Sequence, residues 1–239
     1  MKVLMIIPAY NEELNIENTI NKIVKYNKKS KNKIDYIIIN DGSTDKTKEI
    51  CKKNNYMVIN LVHNLGIGGA VQTGYKYALE NDYDVVIQFD GDGQHDENYI
   101  DDLIKEIDNG FNFVIGSRFI KDLSKFKSTH TRRLGINILS FLIKLCTGKK
   151  IYDPTSGFRA ADKEVIKLFA NHYPSEYPEP ESTVALIRNN FKIKEIPVEM
   201  HEREFGKSSI RPLKSIYYMF SVSLSILITS ITRRNKNEC

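Results

Sequence analysis

Hydrophobic residues in the first half of the chain form short runs that alternate with amphipathic segments. The runs are apolar and rich in β-branched residues, and they predict strands at residues 2–7, 34–40, 84–89 and 113–116. The segments between them have helical spacing or helix-start residues, and they predict helices at residues 11–26, 44–53 and 100–107. Because strands and helices alternate, the pattern predicts an α/β fold with helices around a mostly parallel sheet.

The second half of the chain has a less regular pattern. Residues 135–146 and 162–169 predict helices, residues 153–159 a tight loop, and residues 192–198 a strand. No internal repeat and no linker interrupts this part of the sequence. We therefore predict one domain over residues 1–211 and a separate C-terminal segment over residues 212–239.

The C-terminal segment is apolar and ends in a basic tail. Residues 213–231 contain one charged residue, Lys214, and the tail follows with Arg233, Arg234 and Lys236. Ser and Thr residues dilute the apolar run, whereas a membrane-spanning helix needs about 20 apolar residues. The pattern predicts an amphipathic helix at a membrane surface, with the tail near anionic headgroups. The alternative is a helix that packs on the domain or in a dimer.

Composition narrows the class of protein. The 239 residues carry a net charge of +5, are 41% hydrophobic, and contain no run of five like charges. This balance favours phosphates or an acidic membrane face over nucleic acid as partners. Three dispersed cysteines argue against a disulfide framework or a zinc site. The apolar run at residues 3–7 is too short for a signal peptide, so we expect a cytoplasmic location.

Two carboxylates follow the strand at residues 84–89. Asp90 and Asp92 lie at positions i and i+2, so in an extended chain they share a face, and Gly91 lets a bulky ligand approach. Such a pair suits a hard divalent cation with positions left open for phosphate oxygens. Gln94 is a candidate third ligand, and His95 a nitrogen ligand if the ion is Mn²⁺. A polar turn without metal remains the alternative.

Two other turns offer contacts to a nucleotide. Asp41 follows the strand at residues 34–40 and can accept hydrogen bonds from a base or ribose. The glycine-rich stretch around Gly68 is not a dinucleotide fingerprint, because its third glycine would fall at Val71. Its glycines instead allow the backbone to pass close to a nucleotide. Basic residues near turns suit phosphate capture: Arg118, Arg132, Arg133, Arg159, Arg203 and Lys207.

Together these segments resemble the family 2 glycosyltransferases of GT-A fold. Residues 8–13 (PAYNEE) and 41–45 (DGSTD) are similar to the family's nucleotide-binding motifs. Residues 90–95 (DGDGQH) are similar to the metal motif of the branch that makes polyprenyl- or dolichyl-phosphate sugars. Residues 116–118 and 153–159 follow the same branch. Residues 177–182 resemble short bacterial members with a C-terminal membrane helix that make undecaprenyl-phosphate N-acetylglucosamine or glucose.

The resemblance implies a role for each matching residue. Nucleotide-sugar binding falls to Pro8, Tyr10, Glu12, Asp41, Gly68, Asp90, Gly91, Arg203 and Lys207. The Mg²⁺ or Mn²⁺ ligands are Asp90, Asp92 and Gln94. The acceptor phosphate contacts Arg118, Arg132 and Arg133. The residues expected to carry catalysis are Asp92, Arg118, Arg132 and Arg203.

The implied reaction is an inverting, metal-dependent transfer of a hexose or N-acetylhexosamine to polyprenyl phosphate. UDP-N-acetylglucosamine, UDP-glucose and GDP-mannose all fit as donors, and the subgroup resemblance favours UDP. The reaction would occur at the cytoplasmic face of the cell membrane and serve cell-envelope polysaccharide decoration. A small membrane protein partner or a homo-oligomer is also compatible with the subgroup.

Three other functions stay open. A hydroxyl acceptor on a protein or glycan would need a base, for which Asp92, Glu179 and Glu181 are candidates. A non-catalytic, nucleotide-sugar-binding membrane subunit is disfavoured by the complete set of metal-ligand candidates. An NAD-linked oxidoreductase ranks last because its glycine fingerprint is incomplete. The sequence has no Glu-Asp dipeptide of the kind that often supplies the family's base, which favours the phosphate acceptor.

Overall fold

A seven-stranded, mostly parallel sheet forms the centre of the protein. The computed structural model describes residues 1–30, 32–120, 129–201 and 212–232. Within them the strand order is β3-β2-β1-β4-β6-β5-β7. The strands are β1 (Val3–Ala9), β2 (Ile34–Asn40), β3 (Val58–Asn60), β4 (Val85–Gln88), β5 (Phe113–Ser117), β6 (Arg159–Asp162) and β7 (Ile193–Pro197). Strand β6 is antiparallel to both β4 and β5, and the other pairings are parallel. The predicted α/β fold is confirmed.

Helices cover both faces of the sheet. Their bounds are α1 (Ile16–Lys29), α2 (Thr47–Lys53), α3 (Gly66–Glu80), α4 (Ile100–Asp108), α5 (His130–Thr147), α6 (Lys163–Asn171), α7 (Pro178–Arg188) and α8 (Pro212–Ile231). Helices α1, α2 and α4 bury one apolar cluster, while α3 and α5–α8 bury the other. Each strand therefore contributes alternate side chains to two cores, which is why the central strands read as continuous apolar runs.

Strand β1 continues through Pro8, where the sequence predicted that it would end. Pro8 pairs in register with Ile39 of β2, while the pairing of β1 with β4 ends at Ile6. The carbonyl of Ile6 faces β4 and that of Ala9 faces β2, where it accepts from Asp41 N. By this alternation the missing N–H of Pro8 points beyond the end of β4, so no ladder hydrogen bond is lost.

Several elements differ from the sequence prediction. Helix α1 begins at Ile16 rather than residue 11, because Asn11 adopts a left-handed conformation with φ of 57°. Helix α5 begins at His130, where the Thr129 hydroxyl accepts from Arg132 N, five residues before the predicted start. Strands β3 and β6 and helix α7 were not predicted.

Helix α8 packs on the domain through one side. Val222 and Ile226 are buried against α5 and α7, and Ser225 donates a hydrogen bond to Glu181 of α7. The predicted helix is therefore confirmed, and one face of it packs as the alternative expected. Within the described ranges, no helix combines the length and apolarity needed to cross a bilayer. Contact of α8 with a membrane surface stays a prediction.

Candidate functional site

The candidate residues gather at one edge of the sheet. Strands β1, β2, β4 and β5 are parallel in direction, so the segments that follow them meet at their carboxyl ends. These segments carry Tyr10, Asp41, Asp90 and Arg118. Strand β6 runs the opposite way and begins at this edge with Arg159, so the loop that precedes it lies there too. Ligand sites in such sheets occur at this edge.

Hydrogen bonds from helix α1 hold the loop that carries Asp90 and Asp92. Thr19 donates its hydroxyl to Gly91 O at 3.0 Å, and Lys22 Nζ donates to Gly93 O at 2.7 Å. Within the loop, Gln94 N donates to Asp92 Oδ1 at 3.1 Å. Two backbone carbonyls are thus fixed by side chains of a rigid helix, which limits how far the carboxylates can move.

Asp90 is oriented by a buried histidine. His95 Nε2 lies 3.0 Å from Asp90 Oδ2, and the imidazole stacks on Phe158 with a centroid separation of 5.0 Å. Burial raises the pKa of Asp90, but the charge and hydrogen bond of His95, together with Gln88 and the charge of Arg118, lower it overall. His95 therefore orients Asp90 through Nε2, and its role as a nitrogen ligand for Mn²⁺ stays a prediction.

The carboxylates fit a hard divalent cation that is shared with a substrate. The Asp90 side chain is 32% exposed, and the Gln94 side chain donates to His201 O at 3.3 Å, an arrangement compatible with ligation through its oxygen. Among the described residues, no three His, Cys, Asp or Glu side chains could hold an ion by themselves. Phosphate oxygens and water would complete the coordination of Mg²⁺ or Mn²⁺, as is usual for Mg²⁺ at phosphate sites.

The segments after β1 and β2 are joined by side-chain hydrogen bonds. Asn11 Oδ1 accepts from Thr44 N at 2.8 Å, and Glu12 N donates to Thr47 Oγ1 at 2.9 Å. Glu12 itself is buried and accepts from Asn15, so its carboxylate supports the loop. In contrast, Tyr10 is 47% exposed above this edge. Tyr10 remains the better candidate for direct contact with a nucleotide base.

Asp41 and Gly68 have packing contacts of their own. Asp41 Oδ1 accepts from Leu65 N at 2.7 Å, which fixes the start of α3 beside the carboxylate. A Cβ atom at Gly68 would lie 2.2 Å from Pro174 O, so the glycine permits close approach of another backbone segment. The close approach expected at Gly68 therefore exists, but its neighbour is protein.

In the structure the guanidinium of Arg118 is enclosed by other side chains. Its guanidinium forms a forked ion pair with buried Asp153: Nε lies 2.7 Å from Oδ2, and Nη2 lies 2.7 Å from Oδ1. Nη2 also donates to Thr155 at 3.0 Å, and the whole residue is 4% exposed. Hydrogen bonds and charge from Asp153 hold the pKa of Arg118 above its usual value despite burial. The pairing therefore fixes the Arg118 guanidinium at this edge of the sheet, and its contact with the acceptor phosphate stays a prediction.

Arg132 and Arg133 open helix α5 beside this ion pair. Arg132 is exposed, and partial burial of its guanidinium followed by repulsion from Arg118 lowers its pKa. Arg133 lies with Cζ 3.8 Å from the centre of the Phe119 ring, a cation–π contact. Of the three arginines expected at the acceptor phosphate, Arg132 is the one that is exposed.

The sequence predicted phosphate capture by Arg159 and named Glu179 as a candidate base, but it gave no role to Gln88. Arg159 is buried and donates to the carbonyls of Pro154, Ser156 and Glu179, so it serves as scaffold. Gln88 lies two residues before Asp90 and pairs in register with Arg159, whose Nη1 donates to Glu179 O. Burial and the charge of Asp90 raise the pKa of Glu179. Gln88 carries a signal, since it is a polar residue that ends an apolar strand. Arg203 and Lys207, both expected at the donor diphosphate, lie outside the described residues.

Comparison with known proteins identifies the family. The model of the family described as Glycosyl transferase family 2 matches residues 5–169, which is more than half of the chain. The chain belongs to glycosyl transferase family 2.

Relatives of this family 2 glycosyltransferase transfer sugars to lipid phosphates. The chain is 35% identical to UDP-N-acetylglucosamine–dolichyl-phosphate N-acetylglucosaminyltransferase of Methanococcus voltae, with 85% of this chain and 87% of that protein covered. It is 26% identical to polyprenol monophosphomannose synthase of Mycolicibacterium smegmatis, with 93% of this chain and 86% of that protein covered. The resemblance seen in the sequence is confirmed.

The fold has a solved counterpart. Glucosyl-3-phosphoglycerate synthase from Mycobacterium tuberculosis, in complex with UDP, superposes with a TM-score of 0.69 at 18% identity, and the match covers 98% of this chain and 82% of that one. Another structure of that synthase contains Mn²⁺ and UDP together. At this identity the match establishes the GT-A-like fold of the family 2 glycosyltransferase.

Proposed function

We propose that this family 2 glycosyltransferase moves a sugar from a UDP-linked donor to polyprenyl phosphate at the cytoplasmic face of a membrane. The observation that carries the proposal is the surface of α5 and α8. Their outward sides expose apolar residues, while the side of α5 that packs on the domain begins with Arg132. A lipid phosphate needs this combination of an apolar surface and a nearby cation.

The exposed apolar residues form one stripe on each helix. We call these nine residues the apolar face: Leu134, Ile138, Phe141 and Leu145 of α5, and Phe220, Leu224, Leu227, Ile228 and Ile231 of α8. The two helices contact each other in the folded domain. Exposed apolar clusters of this kind mark interaction surfaces, and amphipathic helices in the membrane interface present such a side to lipid.

The chemistry follows from the charges in the cleft. The bond from the sugar's C1 to the donor diphosphate breaks, and a bond from C1 to an acceptor phosphate oxygen forms on the opposite face. A divalent cation at Asp90, Asp92 and Gln94 would neutralise the charge that develops on the leaving diphosphate. Arg132 would orient the acceptor, and Arg118 would add a fixed positive charge behind it. A phosphate acceptor is already anionic, so no base is required.

The donor is proposed from the relatives and from the fold. The N-acetylglucosaminyltransferase of Methanococcus voltae uses a UDP-linked sugar by name, and the solved counterpart holds UDP. Exposed Tyr10 suits stacking on the uracil, and Asp41 lies at the neighbouring strand end. We therefore favour UDP-N-acetylglucosamine or UDP-glucose over GDP-mannose.

The test is transfer of labelled sugar into organic-extractable lipid. The full chain is mixed with undecaprenyl phosphate, Mn²⁺ or Mg²⁺, and each of the three labelled donors in turn. We expect label in the organic phase from one UDP-linked donor, lost with EDTA or in the variant Asp92→Asn. Binding of the donor without lipid labelling would contradict the proposed acceptor.

A hydroxyl acceptor is the second candidate, and Glu179 favours it. Burial and the nearby charge of Asp90 raise the pKa of this cleft carboxyl, as expected of a base. If the acceptor is a hydroxyl, Glu179→Gln abolishes turnover while donor affinity is unchanged. Retained transfer to lipid phosphate in Glu179→Gln would dismiss this candidate.

A further inference from the structure

The side-chain amide of Gln88 is buried, and the site described above gives it no role. Gln88 ends strand β4, is 1% exposed, and neither its amide oxygen nor its amide nitrogen has a hydrogen bond of normal length among the described residues. A buried amide without partners costs about 1–3 kcal/mol. Such a cost is usual where a ligand supplies the missing hydrogen bonds.

Glu179 lies next to this amide on a rigid support. Its carbonyl accepts from Arg159 Nη1 at 2.9 Å and from Thr183 Oγ1 at 2.8 Å, so the first turn of α7 is fixed to the cleft floor. No ion pair involves Glu179 in the part of the chain that the structure describes. Glu179 is partly exposed, so a ligand can reach this residue.

The two side chains border the reaction centre. Gln88 pairs in register with Arg159, whose Nη1 donates to Glu179 O at 2.9 Å. It also lies two residues before Asp90 on the chain, so the Gln88 amide is near both carboxyl-bearing segments. Asp90 belongs to the loop proposed to hold the metal and the donor diphosphate. The sugar is bonded directly to that diphosphate, so its ring must occupy the space beside Asp90.

We propose that the Glu179 carboxylate and the Gln88 amide bind hydroxyl groups of the donor's sugar ring and so determine which sugar is accepted. A hydroxyl donates to the carboxylate and both donates to and accepts from the amide, which satisfies the polar groups left without partners. A site built to hydrogen-bond a hydroxyl rejects sugars that lack it at that position. This inference rests on the proposed function for the donor and is independent of the acceptor.

The test compares the affinity for a donor with that for its bare nucleotide. The full chain, in the presence of Mn²⁺, is titrated calorimetrically with each ligand in turn: UDP-N-acetylglucosamine, UDP-glucose, GDP-mannose, UDP and GDP. The donor that binds best is carried to the variants Glu179→Ala and Gln88→Met. The control is Glu181→Ala, since Glu181 lies on the same helix but accepts from Ser225 of α8.

We expect Glu179→Ala to lose about tenfold or more in donor affinity, since it removes a charged hydrogen bond, and Gln88→Met to lose about two- to tenfold, since it removes neutral ones. Both should keep nucleotide affinity within about twofold. Glu181→Ala should keep both affinities. Equal losses for donor and nucleotide, or no loss for the donor, would overturn the inference. If Glu179→Ala does not fold, Glu179→Gln replaces it. That variant should lose less donor affinity and should keep its nucleotide affinity.

The same titrations separate this inference from the proposed function. If the wild-type chain binds none of the three donors, the proposed function fails and the inference fails with it. If a donor binds and the variants bind it equally well, only the inference fails. A base would behave differently, because Glu179→Ala would then bind the donor normally and lose only turnover.

Discussion

At the scale of single residues, burial decides which charged groups can meet a ligand. Arg118 and Arg132 are equivalent in the sequence, since each follows a turn near a predicted strand or helix. In the structure Arg118 is enclosed by Asp153 and Thr155, whereas Arg132 is exposed on the first turn of α5. The difference depends on Asp153, which lies 35 residues from Arg118 in the chain and is brought to it by the loop before β6.

The buried ion pair predicts a large loss of stability for Asp153→Asn. The change leaves the Arg118 guanidinium buried without its counter-charge, so we expect the free energy of unfolding to fall by about 3–5 kcal/mol. Urea denaturation followed by circular dichroism measures this. The control is Lys163→Gln, which breaks the exposed ion pair with Asp84 and should leave stability nearly unchanged. Similar small effects of both changes would show that the Arg118 pair is not a structural charge pair.

Gly157 predicts a loss of activity without a comparable loss of stability. A Cβ atom there would lie 2.6 Å from Asp90 Oδ2, so Gly157→Ala must displace that carboxylate. We expect sugar transfer to fall by about a hundredfold, as misplacement of a reacting group by about 1 Å does. Transfer rates and urea midpoints measured together check this. Unchanged transfer would mean that the position of Asp90 is unimportant.

At the scale of elements, periodicity identified structure where an element buries its own apolar face. Strand β2 was predicted with its observed bounds, because four of its residues are buried apolar side chains: Ile34, Ile37, Ile38 and Ile39. Strand β6 has only Arg159–Asp162, and its burial comes from β4 and β5 on either side. Helix α7 begins with two prolines and two glutamates, which resemble a turn, although proline at a first helical position is favourable. Neither element could be recognised from local pattern alone.

The hydrogen bond from helix α1 to the loop that carries Asp92 leads to a prediction about metal binding. Lys22→Met removes the hydrogen bond to Gly93 O and loosens the loop that carries Asp92, so we expect the half-saturating Mn²⁺ concentration to rise about tenfold, as loss of outer-sphere support does. Sugar transfer measured against Mn²⁺ concentration checks this. Lys25→Met is the matched control, because Lys25 is exposed on the same helix. An equal shift in both variants would indicate a general charge effect.

At the scale of the whole molecule, the sheet determines the position of the site residues, and helices α5 and α8 form the apolar surface. The sequence could place Asp41, Asp90 and Arg118 at one edge, since parallel strands have a common direction. It could not show that α5 and α8 pack against each other, because that contact joins segments about 80 residues apart. The apolar face therefore arises only in the folded chain, and one of its two helices, α5, carries Arg132 in its first turn.

This arrangement predicts that the apolar face binds lipid. Phe141 and Ile228 are 67% and 56% exposed, so replacing both with Ser should cost little stability. Cosedimentation with vesicles of phosphatidylglycerol and phosphatidylcholine in equal parts should weaken by about tenfold or more, since each side chain contributes about 1.5–3 kcal/mol when fully buried. The control is Val62→Ser, which changes an 88% exposed apolar residue outside the face. Vesicle binding unaffected by the double change, with a dimer in light scattering that the change dissociates, would instead assign the face to self-association.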